Sequence, residues 1–514
     1  MISKVHTYGI HGVESFRVTA EVDVSDGLPG FSMVGYLSEE TREAQERVRT
    51  ALRNAGFAIP PRKITVNLSP AGIRKGGTAY DCAIAVGILA ALGVLNPEKP
   101  EPYAFFGELG LDGSLRPVRG ILPGTLQASA DGFQAVFLPK ENLREGTLAE
   151  DIAVIGASDI REVINILRRD NPLTAAAEGI EYSREPEDAG PDFSDLQGLP
   201  SVRLASMAAA AGGHNLLFIG PAGTGKTMAA RRLPSILPPM SREESLDVSK
   251  LYSICGMLDP DAPLITKRPF RSPHHSITKA ALIGGGSRPQ PGEVSLASGG
   301  VLFLDELPEF PARILDLLRQ PVEEGKVTVN RVSGTEQYPA DFLLVCAMNP
   351  CKCGFYPDMG KCRCSVWQRR RYLAGISGPF LDRIDIGVEV PLQKIALPGK
   401  RKPGESSASM REKVLQAREW QKKRFSGLPI RRNGQMTGKC WRNSALWERR
   451  RNPFFCSIWE HIPQVSGGRI SFFAWHGLSL TWDSMRGFAY RTWRRLPHFD
   501  HFWAITGEGR SYEP

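Results

Sequence analysis

Apolar residues recur along this chain in two rhythms. Near the front they alternate: residues 16–24 read FRVTAEVDV and residues 63–70 read KITVNLSP, the period-two pattern of strands with one buried face. A short apolar strand, AVFLP, follows at 135–139. Helical spacing lies between them, in EETREAQERVRTALRNAG (39–56) and in the nearly all-apolar TAYDCAIAVGILAALG (78–93). Further on the strands become continuous: NLLFI at 215–219, VLFL at 301–304, and FLLVCAM after Asp341. Unbroken apolar runs suit central parallel strands covered on both faces. Helical spacing returns in MREKVLQAREWQKKRF from Met410. The stretch Asn171 to Pro200, rich in Glu, Asp, Gly and Pro, reads as a linker.

These patterns predict an α/β chain in five parts: a front domain over 1–170, a linker over 171–200, a nucleotide-binding domain over 201–395, the start of a helical lid over 396–439, and a tail over 440–514.

The strand ending at Ile219 runs into Gly220, Pro221, Ala222, Gly223, Thr224, Gly225, Lys226 and Thr227. Glycines there leave backbone N–H groups open to an anion at a helix N-terminus, Lys226 reaches β/γ-phosphates, and the Thr227 hydroxyl takes Mg²⁺. The next apolar strand ends in Asp305 and Glu306. Beside a phosphate loop, Asp305 is expected to hold Mg²⁺ and Glu306 to polarise the attacking water. A third strand delivers Asn349, which either orients that water or simply forms an Asn-Pro turn. Arg383, between Asp382 and Asp385, is either a local ion pair or an arginine finger reaching a neighbouring subunit's γ-phosphate.

Three segments carry a closer resemblance: RPFRSPHHSIT (268–278), PGEVSLASGGVLFLDELPEF (291–310) and ISGPFLDRID (376–385), together with NPCKCG (349–354). With these the chain resembles the ComM/YifB family of magnesium-chelatase-like AAA+ ATPases over residues 1 to about 430. The resemblance implies a Lon-protease-like α+β domain followed by a P-loop AAA+ α/β domain, with ATP and Mg²⁺ as cofactors. It also implies a hexameric ring acting on single-stranded or branched DNA, as a helicase promoting branch migration in recombination or transformation. The stretch from Gly107 to Asn142, and KGGTAYDCAIAVGILAALG from Lys75, resemble the Lon proteolytic domain. That chemistry needs a Ser activated by a Lys. Here the corresponding stretch is Gly77-Thr78-Ala79-Tyr80 and the lysine position reads Pro123, so an empty scaffold is expected rather than a protease. The insertion Arg268 to Val294, with the hairpin-like GGGSRPQPG, is expected to face a ring pore. Arg271, His274, His275 and Lys279 are then either DNA-phosphate contacts or ordinary loop residues that cap and pack. The alternatives are a metal-insertion ATPase like the chelatase motor, or an inactive remnant.

A net charge of +9 is consistent with a polyanionic partner. No apolar run approaches the roughly eighteen residues of a membrane span, and the first ten residues lack a secretory pattern, so a cytoplasmic protein without membrane contact is expected. Its cysteines are therefore not a disulfide framework. Cys351, Cys353, Cys362 and Cys364 form two C-x-C pairs and are a candidate Zn²⁺ site, the alternative being reduced thiols in a loop.

Past Lys439 lysine vanishes, arginine abounds, and seven of the nine tryptophans occur. Such a composition without aliphatic periodicity reads as translation out of frame, leaving the lid truncated or aberrant. A divergent aromatic-rich lid, or an Arg/Trp surface for stacking nucleic acid, is the other reading.

Overall fold

The computed structural model describes residues 2–177, 190–286, 289–331, 334–392, 404–428, 430–435 and 470–472. The front domain is built on a long hairpin, Ile2–His11 with Glu14–Ser25, in register from Ile2↔Asp23 to His11↔Glu14. Five further strands complete a seven-stranded mixed sheet, in the order Gly30–Val34, Lys63–Ser69, Glu14–Ser25, Ile2–His11, Tyr103–Phe105, Ala135–Pro139, Ala153–Ala157. Alternation does what the sequence pattern predicts: Val18, Ala20, Val22, Ile64, Val66 and Leu68 turn inward together. Against them lies the helix Asp81–Ala91, buried along its whole length. It approaches so closely that a Cβ on Gly87 would stand 2.7 Å from Val22 Cγ2, and Ser3 Oγ donates to the Gly87 carbonyl at 2.7 Å.

No serine–lysine dyad occupies this domain at the expected positions. The Thr78 hydroxyl donates to Glu108 at 2.5 Å, and Pro123 is buried inside the helix Ile121–Ala130. Lys75 is fully buried, and its Nζ has no hydrogen-bond partner among the described residues.

The second sheet runs Phe270–Arg271, Val301–Leu304, Leu343–Met348, Leu216–Ile219, Ile386–Glu389, all parallel, with Ile470–Phe472 added antiparallel at one edge. Its continuous apolar strands divide residue by residue between two cores. Leu216, Phe218, Val301, Phe303, Val345 and Ala347 face the helices Pro200–Gly212, Lys226–Ile236 and Ser407–Arg424. Leu217, Leu302, Leu304, Leu344, Cys346 and Met348 face the opposite layer. The register is tied at the base by Asn215, whose amide oxygen accepts from Leu344 N (3.2 Å) while its Nδ2 donates to the Arg383 carbonyl (2.7 Å).

Two sequence expectations need correction. Residues 190–199 are not linker: Phe193, Leu196 and Leu199 are buried in the nucleotide-domain core, and Asn171–Ala177 lie on the front domain through Ala177 N to Val154 O. Composition misled there because a few well-placed apolar residues suffice to anchor a Pro- and Asp-rich segment. The helix placed from Met410 starts at Ser407, capped by Ser406, and buries Met410, Val414 and Ala417. The tail over 440–514, expected from composition to be out of frame, lies outside the described residues, apart from the backbone of Ile470–Phe472.

The two domains also touch directly. Gly120 N donates to Ser253 O, Ser253 Oγ to Glu145 (2.5 Å), and Arg242 and Arg144 pair with Glu150 (2.7 Å) and Asp261 (2.8 Å).

Burial holds the Lys75 ammonium below its usual lysine value. A lysine whose value falls on folding costs stability at low pH and costs less as pH rises toward the unfolded value, because the unfolded chain then binds the extra proton. Lys75→Met is expected to stabilise the front domain by about 1–3 kcal/mol at neutral pH. Thermal melts of both proteins from pH 7 to 10 check this: the gain should shrink as pH rises.

Candidate active site

The phosphate loop forms because two of its glycines take left-handed backbone, Gly223 at φ 76° and Gly225 at φ 93°, before the helix Lys226–Ile236 begins. That bend brings the first helical residues beside the ends of the neighbouring strands. Register does the rest: Ile219 pairs with Met348, and Leu304 with Cys346, so Asn349 and Asp305 emerge next to the loop.

Lys226 Nζ donates to the carbonyls of Gly220 (2.8 Å) and Pro221 (2.7 Å) and to Asn349 Oδ1 (3.1 Å). Burial pushes its ammonium below the ordinary lysine value, and the nearby Asp305 carboxylate opposes this. Thr227 Oγ1 donates to Asp305 Oδ2 at 2.8 Å. A hydroxyl and a carboxylate side by side are the hard oxygen donors that suit Mg²⁺, and backbone N–H groups at the loop suit phosphate. Thr227 and Asp305 would hold Mg²⁺ there, and the ion would supply charge neutralisation to a bound phosphate. The helix N-terminus and Lys226 would orient the same anion.

Glu306 has φ 52°, a left-handed conformation rare outside glycine, and its side chain is 58% exposed. His275 Nδ1 stands 3.7 Å from its Oε2. The His275 ring lies against His274, tilted by 36° at 3.9 Å between centroids, and meets Phe310 edge-on. This pairing was not legible in sequence. It arises because Phe270–Arg271 pairs with Val301–Leu302, which sets the residues after one strand beside those after the other. Of the other insertion residues, Arg271 is engaged by both oxygens of Glu293 at 2.6 Å, His274 bonds Ser276 Oγ at 2.8 Å, and Lys279 is exposed. Gly284–Gly285 and Gln290–Pro291 form the expected hairpin.

Arg383 is not brought to this site. It precedes Ile386–Glu389, which runs parallel to Leu216–Ile219, and so lies at the opposite end of the strands, about 13 Å away by strand length. There it pairs with Glu323.

Cys351, Cys353, Cys362 and Cys364 gather with all four Sγ within 4.8 Å of one another. Cys351 Sγ is 3.3 Å from Cys353 Sγ and 3.7 Å from Cys362 Sγ, and Cys353 to Cys362 is 3.6 Å. Four sulfurs at zinc–thiolate distance on a tetrahedron stand about 3.8 Å apart, so this cluster fits that ion. A hydrogen bond from the Phe355 backbone pulls the Cys353 thiol down to about 6, whereas burial pushes its neighbour Cys362 up to about 12.

Fold and site together define a P-loop ATPase of the AAA+ class. The family described as "Magnesium chelatase, subunit ChlI" matches residues 192–397, and "Subunit ChlI of Mg-chelatase" matches 20–142. Competence protein ComM of Haemophilus influenzae is 43% identical over 423 residues, 82% of each chain, and YifB of Escherichia coli is 42% identical over 434 residues, 83% of each. The magnesium-chelatase 38 kDa subunit of Rhodobacter capsulatus is 27% identical over 176 residues, covering 31% of this chain and half of that subunit. The chain belongs to the ComM/YifB family of magnesium-chelatase-like AAA+ ATPases, and ATP with Mg²⁺ is the cofactor pair its site is built for.

Lys226→Ala is expected to abolish binding of a fluorescent ATP analogue. Glu306→Gln should bind it normally while phosphate release falls about 10²–10⁴-fold. Equilibrium titration and a phosphate-release assay on both variants check the division of roles.

Proposed function

We propose that the protein is an ATP-driven motor acting on single-stranded or branched DNA, a ring helicase that promotes branch migration in recombination or transformation. The observation that carries this reading is the 43% identity to a competence protein across 82% of both chains. The net charge of +9 supports a polyanionic partner. In this reading Lys226 and the loop amides hold ATP, Thr227 and Asp305 hold Mg²⁺, Glu306 polarises the lytic water, and Asn349 orients it.

Arg383, at the far end of the strands, serves a neighbour's γ-phosphate in a homo-oligomeric ring of six. The front domain is a Lon-like scaffold for assembly, its Thr78 bonded to a carboxylate and lacking a lysine base. The cysteine cluster holds structural Zn²⁺. Among the described residues no helix is long and apolar enough to cross a membrane, and the proposed setting is the cytoplasm. A metal-insertion ATPase is the rival reading, supported by the partial match to the Rhodobacter capsulatus subunit.

ATP turnover with and without a four-way DNA junction tests the proposal. Acceleration by the junction is expected, together with a loss of roughly 10³-fold or more in Arg383→Ala despite intact ATP binding. Acceleration by porphyrin and a partner protein, with no response to DNA, would favour the chelatase reading. Binding without turnover in the unaltered chain would point to the inactive remnant.

A further inference from the structure

The cysteine cluster and the phosphate loop are in direct contact, and none of the hydrolytic roles above uses that contact. One residue, Pro350, separates Asn349, bonded to Lys226, from Cys351, and one residue past Cys353 the chain returns to the loop. The Gly354 carbonyl accepts the Ala222 N–H at 3.3 Å. Gly354 holds a left-handed φ of 77°, and a Cβ placed on it would lie 3.5 Å from Ala222 Cβ and 3.8 Å from Asn349 Cγ. One short segment is therefore fixed to the nucleotide machinery at both Asn349 and Ala222.

This segment has little apolar core of its own. From Cys351 to Ser365 the buried positions are Cys351, Gly354 and Cys362, while Phe355 is 41% and Met359 70% exposed. Turn hydrogen bonds such as Gly354 N to Cys351 O and Cys362 N to Asp358 O shape it, Arg369 lies over the Tyr356 ring at 4.1 Å, and the four thiols converge at its centre. A segment of this kind is ordered by metal coordination, and ion binding becomes local folding energy.

We infer that a tetrahedral zinc-class ion in the four-cysteine cluster clamps the phosphate loop through Gly354, so that nucleotide affinity depends on whether the cluster is metallated; this rests on the zinc reading given above. Loading the ion fixes Gly354 against Ala222 and holds the first turn of the loop in place. The amides of Gly223 to Thr227 remain for phosphate. Removing the ion frees the segment and lets the loop, with its two left-handed glycines, sample other conformations, which weakens ATP binding without touching Lys226 or Thr227.

The test uses the full-length chain. Metal content is measured by atomic emission, and Mg²⁺-dependent affinity for a fluorescent ATP analogue is titrated before and after a zinc-selective chelator, then after Zn²⁺ is restored. One zinc per chain is expected. Affinity should fall roughly fivefold to tenfold on stripping, the size of one lost positioning hydrogen bond, and recover on readdition. Gly354→Ala should keep its zinc and show the same weakening, because its φ is strained for any side chain. Circular dichroism should stay unchanged on stripping; global unfolding would overturn a local clamp. Zinc that is present and removable with affinity constant within about twofold would overturn the clamp and leave the zinc site standing. Four free thiols with no zinc bound would remove the zinc reading and the clamp together.

Discussion

Asn215 binds its neighbours in five ways at the base of the nucleotide-domain sheet. Its N–H donates to Asp385 (2.8 Å), its carbonyl accepts from Asp385 N and Ile386 N (both 3.0 Å), and its amide reaches Leu344 N and Arg383 O. These bonds lock three parallel strands at one end, which decides where they finish at the other. A slip of one residue would move every strand end by about 3.3 Å and exchange the residues facing the two cores. Lys226 would then miss Asn349, and Thr227 would miss Asp305. The chemistry at the top of the sheet is thus set by hydrogen bonds at its foot, reinforced by alternate apolar residues that fit only one register.

Much of this ATPase domain is written locally. Continuous apolar strands, a glycine-rich turn before Lys226, and acids after Leu304 are each contained in a short window, so sequence pattern suffices to find them. What escapes such reading comes from topology. His275 meets Glu306 because two strands far apart in sequence are neighbours in the sheet. Gly354 meets Ala222 because the strand ending at Met348 lies beside the one ending at Ile219. Nothing in the spacing of these residues encodes their proximity. Residues 190–199 show the reverse failure: Phe193, Leu196 and Leu199 anchor a segment whose composition says linker.

The two acids after the strand Val301–Leu304 illustrate how backbone and chemistry combine. Asp305 is drawn toward the helix by the Thr227 hydroxyl, whereas Glu306, turned by its left-handed backbone, points its carboxylate toward His275. Adjacent residues of the same charge are separated in direction, which avoids like-charge repulsion and gives each its own surroundings.

The direct contacts between the domains have a consequence for chain evolution. Gly120, Glu145, Glu150 and Arg144 hold the front domain onto Arg242, Ser253 and Asp261, which follow the phosphate-loop helix. Orientation is therefore carried by complementary side chains on the two surfaces, matched in charge and in hydrogen-bonding partners. Glu145 and Ser253 therefore constrain each other across the contact, and a change at one is expected to persist only with a compensating change at the other.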